Sequence, residues 1–152
     1  MSQRFFNRAP IFSRIRWLFA IAAGIGLCGC SSKKIEGRKE VFPARGRLLI
    51  NDQPAPGAML VLHPIGGEYD AERPTATVSA DGSFQLTTYV GHDGAPVGDY
   101  VVTAQWHISA DKEAPGPWPN VLPEKYARPE SSDLRVRIAA GPNDLQPIVI
   151  RR

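Results

Sequence analysis

From position 41 to the end of the chain, apolar residues occur in short alternating runs that turn-forming residues interrupt. No long stretch of this part shows the 3.6-residue period of an amphipathic helix. Short runs with a period of two, bounded by Gly, Pro, Asn and Asp, are typical of a β-sandwich or a barrel. The sequence therefore predicts an all-β fold.

Seven runs fit this pattern, and we interpret each as one strand of an antiparallel β-sandwich. Asp81 and Gly82 separate two of these runs and predict a hairpin, because Gly tolerates positive φ and Asp caps the turn. The seven predicted strands are residues 44–50, 58–63, 75–78, 83–89, 99–107, 134–139 and 146–152.

Alternation within each strand assigns its side chains to the core or to the solvent. Trp106 falls on the inner face of the fifth strand, and its large area makes it the predicted central anchor of the core. Arg135 and Arg137 alternate with apolar residues in the sixth strand, so we expect them to face solvent. The other predicted core residues are Leu60, Leu62, Phe84, Leu86, Tyr100, Val102, Ala104, Leu134, Val136 and Ile138.

The N-terminal part of the chain has a different composition. Its first 16 residues carry four arginines and no acidic residue, and residues 17–27 carry no charge. A basic start followed by a short apolar run predicts a secretory signal, and the run is shorter than the ~20 residues that span a bilayer. Cys28 and Cys30 follow it. Two thiolates supply only half of a tetrahedral zinc shell, so a metal site is the weaker interpretation.

The residues "LCGC", which end at Cys30, resemble the lipobox of bacterial lipoproteins. The resemblance implies that residues 1–29 are a lipoprotein signal peptide, expected to be helical, and that Cys30 becomes the N-terminus, modified by diacylglycerol and palmitate. Residues 30–40 would then be a flexible tether and residues 41–152 the domain. Ser31 resembles the pattern that directs lipoproteins across the inner membrane to the periplasmic face of the outer membrane. A plain secretory signal with two incidental cysteines remains the alternative.

Cleavage after residue 29 would also change the charge of the protein. The chain has 18 basic and 15 acidic residues, and four of the basic ones lie in the signal, so 14 would remain. A nearly neutral domain does not favour nucleic acid as a partner. The remaining 123 of the 152 residues suit one domain with its own core.

Several stretches together resemble a known family. They are "GRLLINDQPAPGAMLVLHPIGG", "ATVSADGSFQLTTYVGHDGAPVGDYVVTAQW", "LPEKYARPESSDL" and "GPNDLQPIVI", and they resemble the carboxypeptidase-regulatory-like, transthyretin-like domains of bacterial envelope lipoproteins. The resemblance covers residues 42–150. It implies a seven-stranded sandwich related to immunoglobulin-like folds, with no assigned catalytic role. The chain ends "IVIRR", whereas transthyretin-like hydrolases end in a Tyr-Arg-Gly-Ser motif, which argues against an enzyme.

The Pro-rich segment 108–133 holds the candidate ligand-binding residues. Trp118 lies off every alternating core face, and an exposed tryptophan that prolines hold in place suits stacking on a sugar. Tyr126, in a predicted helical turn against the sandwich, is the second candidate. A lid over one edge of the core is the structural alternative for Trp118.

Other polar residues give weaker signals. We expect His63, His92 and His107 to be isolated rather than a metal or hydrolytic site, and Glu68, Asp70 and Glu72 to be a solvated loop rather than a calcium site. We therefore predict no metal and no cofactor. The outward arginines are either a basic face for anionic lipids or glycans, or a solvated surface. They are Arg45, Arg47, Arg135, Arg137, Arg151 and Arg152.

These features predict a non-catalytic module that is lipid-anchored at the cell envelope, with a structural or protein-interaction role. Its partners would be the membrane, through the lipid on Cys30, and an envelope protein or polysaccharide. One alternative is a carbohydrate-binding module that uses Trp118 and the Pro-rich loop. A small transthyretin-like hydrolase is the other.

Overall fold

The structure, a computed structural model, describes residues 37–67, 71–108 and 116–152. The predictions for the signal peptide, for Cys30 and for most of the tether lie outside these residues. In the described part of the chain the regular structure is β-sheet, apart from one 3-10 helix at Glu124–Ala127. No helix there is long and apolar enough to cross a membrane.

The described residues form eleven strands. Each of the seven predicted segments overlaps one of them, and four two-residue strands were not predicted. The strands are β1 (Val41–Phe42), β2 (Ala44–Ile50), β3 (Gln53–Pro54), β4 (Met59–Pro64), β5 (Thr75–Thr77), β6 (Ser83–Gln85), β7 (Ala95–Pro96), β8 (Gly98–Gln105), β9 (Arg135–Ile138), β10 (Asn143–Asp144) and β11 (Ile148–Ile150).

Two main sheets enclose the core in a sandwich-like arrangement. One sheet has four strands in the order β5-β4-β8-β9, and all its neighbours are antiparallel. The other has five strands and is organised around β2, which pairs with β3, β6, β10 and β11. A separate ribbon joins β1 to β7. Buried side chains from both main sheets form one hydrophobic cluster, so each sheet covers the inner face of the other.

The prediction of an antiparallel sandwich is wrong at β2. Both β10 and β11 pair with it in parallel, with Leu48 opposite Ile148 and Ile50 opposite Ile150. Parallel neighbours need a long connection, and here most of the domain lies between β2 and its C-terminal partners. Alternation indicates which face a side chain takes but carries no information about strand direction, so the sequence pattern did not reveal this pairing.

The hydrophobic core matches the predicted inner faces except at its expected centre. Leu60, Leu62, Phe84, Leu86, Tyr100, Val102, Ala104 and Ile138 are buried, while Leu134 and Val136 are partly buried against the cluster. Trp106 is only partly buried, so it is not the central anchor. Its Nε1 donates to the carbonyl of Pro56 at 2.9 Å, and the Arg152 guanidinium lies 5.9 Å from its ring. Polar contacts at the rim thus hold this indole.

The predicted Asp81-Gly82 turn is present, but the strands beside it do not form a simple hairpin. The Asp81 carboxylate accepts bonds from the backbone N–H and the hydroxyl of Ser83 at 3.0 and 2.7 Å, and Gly82 has a φ of 85°. The flanking strand β5 pairs with β4, whereas β6 pairs with β2. Past the turn, an isolated antiparallel bridge joins Thr75 of β5 to Thr87, which lies two residues beyond the end of β6. The turn therefore carries the chain from one sheet to the other.

The end of the predicted tether contacts the domain. Lys39 donates its backbone N–H to the Tyr89 hydroxyl at 3.0 Å, and its ammonium lies 3.3 Å from the Glu72 carboxylate. The Arg38 guanidinium lies 4.7 Å from the centre of the Tyr89 ring, which is within the range of a cation–π contact. Arg38 and Lys39, which the sequence assigned to the tether, therefore belong with the domain.

Arg38 and Lys39 contact the loop that contains Tyr89, and hydrogen bonds to the carboxylate of Asp93 hold this loop in place. Asp93 accepts backbone hydrogen bonds from Thr88, Tyr89 and Val90 at 2.7 to 3.0 Å. These bonds lower the pKa of Asp93 against the opposing effect of burial. At Gly94, where φ is 99°, an added Cβ would lie 1.8 Å from the carbonyl oxygen of Phe42. Only glycine lets the loop approach β1 so closely.

Two adjacent leucines in β2 test this arrangement. Leu48 is fully buried, whereas Leu49 is only partly buried on the opposite face. We expect Leu48→Ala to lower the free energy of unfolding by about 2–5 kcal/mol, because it leaves a cavity in the core. Leu49→Ala is the matched control and should cost roughly 1 kcal/mol or less. Urea denaturation measures both values, and equal losses would show that the register of β2 is wrong.

Candidate interaction groove

A groove of about 590 Å³ runs along one side of the sandwich, lined by residues 133–137 and 142–149. Strand β9 is the edge of the four-stranded sheet, and β10 and β11 are edge strands beside β2. The groove therefore lies where an edge of each main sheet comes to the surface. Edges of this kind present backbone donors and acceptors that can pair with another chain.

The hydrogen bonds of β9 show which of its peptide groups face the groove. Val102 of β8 donates its N–H to the carbonyl of Leu134 at 3.0 Å, and β8 and β9 are antiparallel. In such a pair, alternate residues bond to the neighbouring strand and the others point away. Leu134, Val136 and Ile138 therefore face β8. The N–H and C=O groups of Arg135 and Arg137 point toward the open edge.

Asn143 closes one end of this edge. Its side-chain oxygen accepts the N–H of Ala139 at 2.9 Å, and its amide nitrogen donates to the Ala139 carbonyl at 3.0 Å. The same nitrogen lies 2.7 Å from the carbonyl of Gly141. The carboxamide thus bonds to Ala139 as a neighbouring strand would. In the described part of the chain, the open part of the edge is at Arg135 and Arg137.

The two carboxylates that line the groove have basic partners of their own. A hydrogen bond from Lys125 at 2.9 Å lowers the pKa of Asp133. The Arg45 guanidinium bonds to both oxygens of Asp144 and lowers the pKa of that carboxyl as well. These partners offset the negative charge of both acids at neutral pH.

The two arginines in the groove are less well balanced. One guanidinium nitrogen of Arg135 donates to the carbonyls of Ser132 and Leu134 at 2.7 and 2.9 Å, and these acceptors carry no net charge. Arg137 lies 3.8 Å from Asp99, and both side chains are largely exposed. Solvent weakens an ion pair of that kind. The exposed rim of the groove at β9 is therefore positively charged.

The predicted basic face is divided between the two sheets. Arg45 and Arg47 lie on β2, whereas Arg135 and Arg137 lie on β9 of the opposite sheet. Arg47 donates to the carbonyl of Asp81 at 2.7 Å, and Arg151 lies 3.8 Å from Asp52. These arginines are thus distributed over both sheets and do not share one face of a single sheet.

The structure separates the three histidines. His63 Nε2 lies 2.9 Å from the hydroxyl of Thr103 on β8, and His107 Nδ1 lies 2.8 Å from the carbonyl of Trp118. His92 is exposed in the loop that Asp93 organises, and its backbone N–H donates to Thr87. Within residues 37–67, 71–108 and 116–152, no three His, Cys, Asp or Glu side chains come together as metal ligands would.

The acidic loop is only partly described. Glu68 and Asp70 lie outside the described residues. Glu72 accepts a hydrogen bond from the Tyr89 hydroxyl at 2.8 Å and pairs with Lys39. A backbone hydrogen bond and the bond from Tyr89 lower the pKa of Glu72. Its described contacts therefore belong to the attachment of the chain's N-terminal part to the domain.

The two predicted sugar contacts have different surroundings. The Trp118 side chain is partly exposed, with 40% of the residue accessible, in the loop after β8. Tyr126 is buried in the 3-10 helix, as the predicted helical turn against the sandwich required, and Lys125 lies 4.5 Å from its ring. A buried ring offers no face to a sugar in this conformation. Of the two residues, Trp118 is the more exposed.

Alternation in the sixth predicted strand places Arg135 and Arg137 at the surface, but it does not indicate the groove. The groove depends on which strand edges have a partner, and the sequence does not mark this because peptide groups have nearly the same chemistry in every residue. One available signal is Asn143, which lies in "GPND" before the last predicted strand. An asparagine next to a short edge strand can bond to a peptide group through both its oxygen and its nitrogen.

His63 provides a test of the electrostatics of the four-stranded sheet. Burial and the nearby Arg73 lower its pKa, and Glu130 opposes them. As pH falls below about 6.5, unfolded His63 takes up a proton before folded His63 does. The unfolded state then binds more protons, so stability is present above that pH and is lost as pH falls toward the folded pKa.

We expect His63→Gln to make the free energy of unfolding less dependent on pH below about 6.5. The difference between the wild-type and variant slopes should stay below the limit of about 1.4 kcal/mol per pH unit for one proton, because His63 is partly exposed. Urea titrations at several pH values measure the slope of the unfolding free energy against pH for both proteins. Identical slopes in the variant and the wild type would contradict the lowered pKa.

Comparison with known proteins adds little. No protein-family model matches the chain, and no curated protein matches it. Among solved structures, a 9R-lipoxygenase from Cyanothece PCC8801 is similar, with a TM-score of 0.42 and 10% sequence identity. The match covers 73% of this chain and 16% of the lipoxygenase, so the chain spans less than a fifth of that protein's length. Similarity this low does not indicate a function.

Proposed function

We propose that the protein is a bacterial envelope lipoprotein whose domain is a non-catalytic interaction module. The observation that carries the proposal is "LCGC" at the end of an uncharged run that follows four arginines. In this proposal the signal peptide is removed after residue 29, and Cys30 carries the lipid. The domain is a sandwich of the transthyretin-like, immunoglobulin-like type, in which the seven strands longer than two residues are the main strands, and it works at the periplasmic face of the outer membrane.

The membrane attachment would be permanent. Each buried methylene of an acyl chain contributes about 0.8 kcal/mol, and two or more chains anchor a protein stably. Three chains on Cys30 would therefore hold the domain without any transmembrane helix. The contacts of Arg38 and Lys39 with Tyr89 fit this proposal, because they fix the point at which the tether would leave the domain.

The interaction role is supported by the groove. A groove at which two sheet edges meet offers more to a macromolecular partner than to a small molecule, because its open backbone groups pair with an extended chain. The arginines on its rim add a charge to which a partner can be complementary.

Substitution of the two cysteines tests the anchor. We expect Cys30→Ser to leave the protein unlipidated and soluble in the periplasm or the medium, whereas Cys28→Ser, the matched control two positions earlier, should stay in the membrane fraction. Fractionation after a high-salt wash, with mass spectrometry of the mature N-terminus, measures both. If Cys30→Ser remained with the membranes after the wash, the anchor would lie elsewhere.

Carbohydrate binding through Trp118 is the second candidate, because this indole is partly exposed and its loop is anchored by the bond of its carbonyl to His107. We expect envelope polysaccharides to change the tryptophan fluorescence of the wild type and of Trp106→Phe, but not of Trp118→Ala. A broad glycan panel that leaves all three spectra unchanged would exclude this role.

A further inference from the structure

We propose that the open edge of β9 binds an extended acidic segment of a partner protein by strand addition. The partner would become the fifth strand of the four-stranded sheet and would bond to the peptide groups of Arg135 and Arg137. This inference rests on the interaction role proposed above but not on the lipid anchor. It names the chemistry of the partner and the surface that receives it.

The register of the edge defines what the partner must offer. Arg135 and Arg137 are two residues apart, so their outward peptide groups repeat at the spacing of any extended strand, about 6.6 Å. Two partner residues can therefore each exchange a pair of backbone hydrogen bonds with β9. Asn143 already occupies the next outward position, at Ala139, and so it sets the end of the added strand.

Side chains along the groove select an alternating partner. The side chains of Arg135 and Arg137 are exposed, whereas Val136 between them is partly buried against the core. Residues of the added strand would alternate in the same way. One set would meet the two guanidinium groups, and the other would lie over Val136 and the partly buried Leu145. The matching segment alternates acidic and apolar residues.

Charge favours acidic residues over basic ones at the outer positions. Asp133 and Asp144 bond to Lys125 and Arg45, so their charges are already offset. Arg135 bonds to neutral carbonyls and shares the nearby Asp133 with Lys125, and the contact of Arg137 with Asp99 is long and exposed. Carboxylates on a bound strand would therefore meet positive charge at both positions, and lysines would meet repulsion.

The same charges disfavour a second copy of this chain as the occupant. A symmetric pair of β9 strands would be antiparallel and would place the arginines of one copy across from those of the other. Like charges directly opposite each other destabilise a cross-strand pair. A partner with carboxylates at these positions would place opposite charges across from Arg135 and Arg137 and so avoid this repulsion.

The test uses the full chain, purified from membranes in detergent, and a fluorescent eight-residue peptide that alternates glutamate and valine. We expect saturable binding in an anisotropy titration. The same peptide with N-methyl groups on the alternate amides that face β9 cannot donate to the edge, and it should bind at least about tenfold more weakly. A peptide with lysine in place of glutamate should also bind at least about tenfold more weakly.

Variants of the chain separate backbone pairing from charge. Arg137→Pro removes the outward N–H and the charge, whereas Arg137→Ala removes only the charge, so the proline variant should bind more weakly of the two. Arg135→Glu with Arg137→Glu should reverse the preference toward the lysine peptide. Arg151→Ala is the matched control, because its arginine is similarly exposed, has a similar 3.8 Å ion pair, and lies outside the groove. It should bind as the wild type does.

Three results would overturn the proposal. The first is no saturable binding of the glutamate peptide. The second is equal binding of the N-methylated peptide, which involves no change to the protein and so cannot reflect misfolding. The third is a dimer of the chain in sedimentation that Arg137→Pro dissociates, which would make a second copy the occupant. None of these results bears on Cys30, so the lipid anchor and the strand addition are tested independently.

Discussion

The pairing of β2 with strands on both of its edges is the constraint on which the rest of the domain depends. One edge bonds to β10 and β11, and antiparallel neighbours β3 and β6 complete the sheet. The parallel register sets Leu48 and Ile50 beside Ile148 and Ile150, and all four are buried. These side chains form the floor on which the four-stranded sheet packs. The same pairing brings β10 and β11 to the surface beside β9, and so it also forms the groove.

Much of the fold could be predicted from the sequence, because burial on one face leaves a clear period of two. Alternation predicts segments that overlap β4, β8 and β9, together with their inner faces. The prediction failed for two features that do not depend on the alternation of side chains along a strand. Strand direction at β2 depends on contacts between the two ends of the domain, and the position of Trp106 at the rim depends on the Pro56 carbonyl that its indole N–H reaches. The prediction that Trp106 lies at the centre of the core rested on the size of its side chain alone.

The candidate site was less predictable than the fold. The sequence drew attention to side chains with distinctive chemistry, and the structure leaves Trp118 partly exposed, buries Tyr126 and disperses the histidines. The groove is instead defined by peptide groups that lack a strand partner among the described residues, and no residue type marks these. The Asn143 side chain bears on it directly, because its carboxamide occupies the next position of the same edge. That role becomes visible only when β9 and β10 are placed side by side.

The position of β2 beside β11 also has a consequence for how the protein is made. The chain grows from its N-terminus, so β2 is available early, whereas β11 lies much later in the sequence. The five-stranded sheet cannot close until β11 is accessible, and contacts between such distant segments form slowly. For the exported protein proposed here, this order delays closure of the sheet until β11 has crossed the inner membrane.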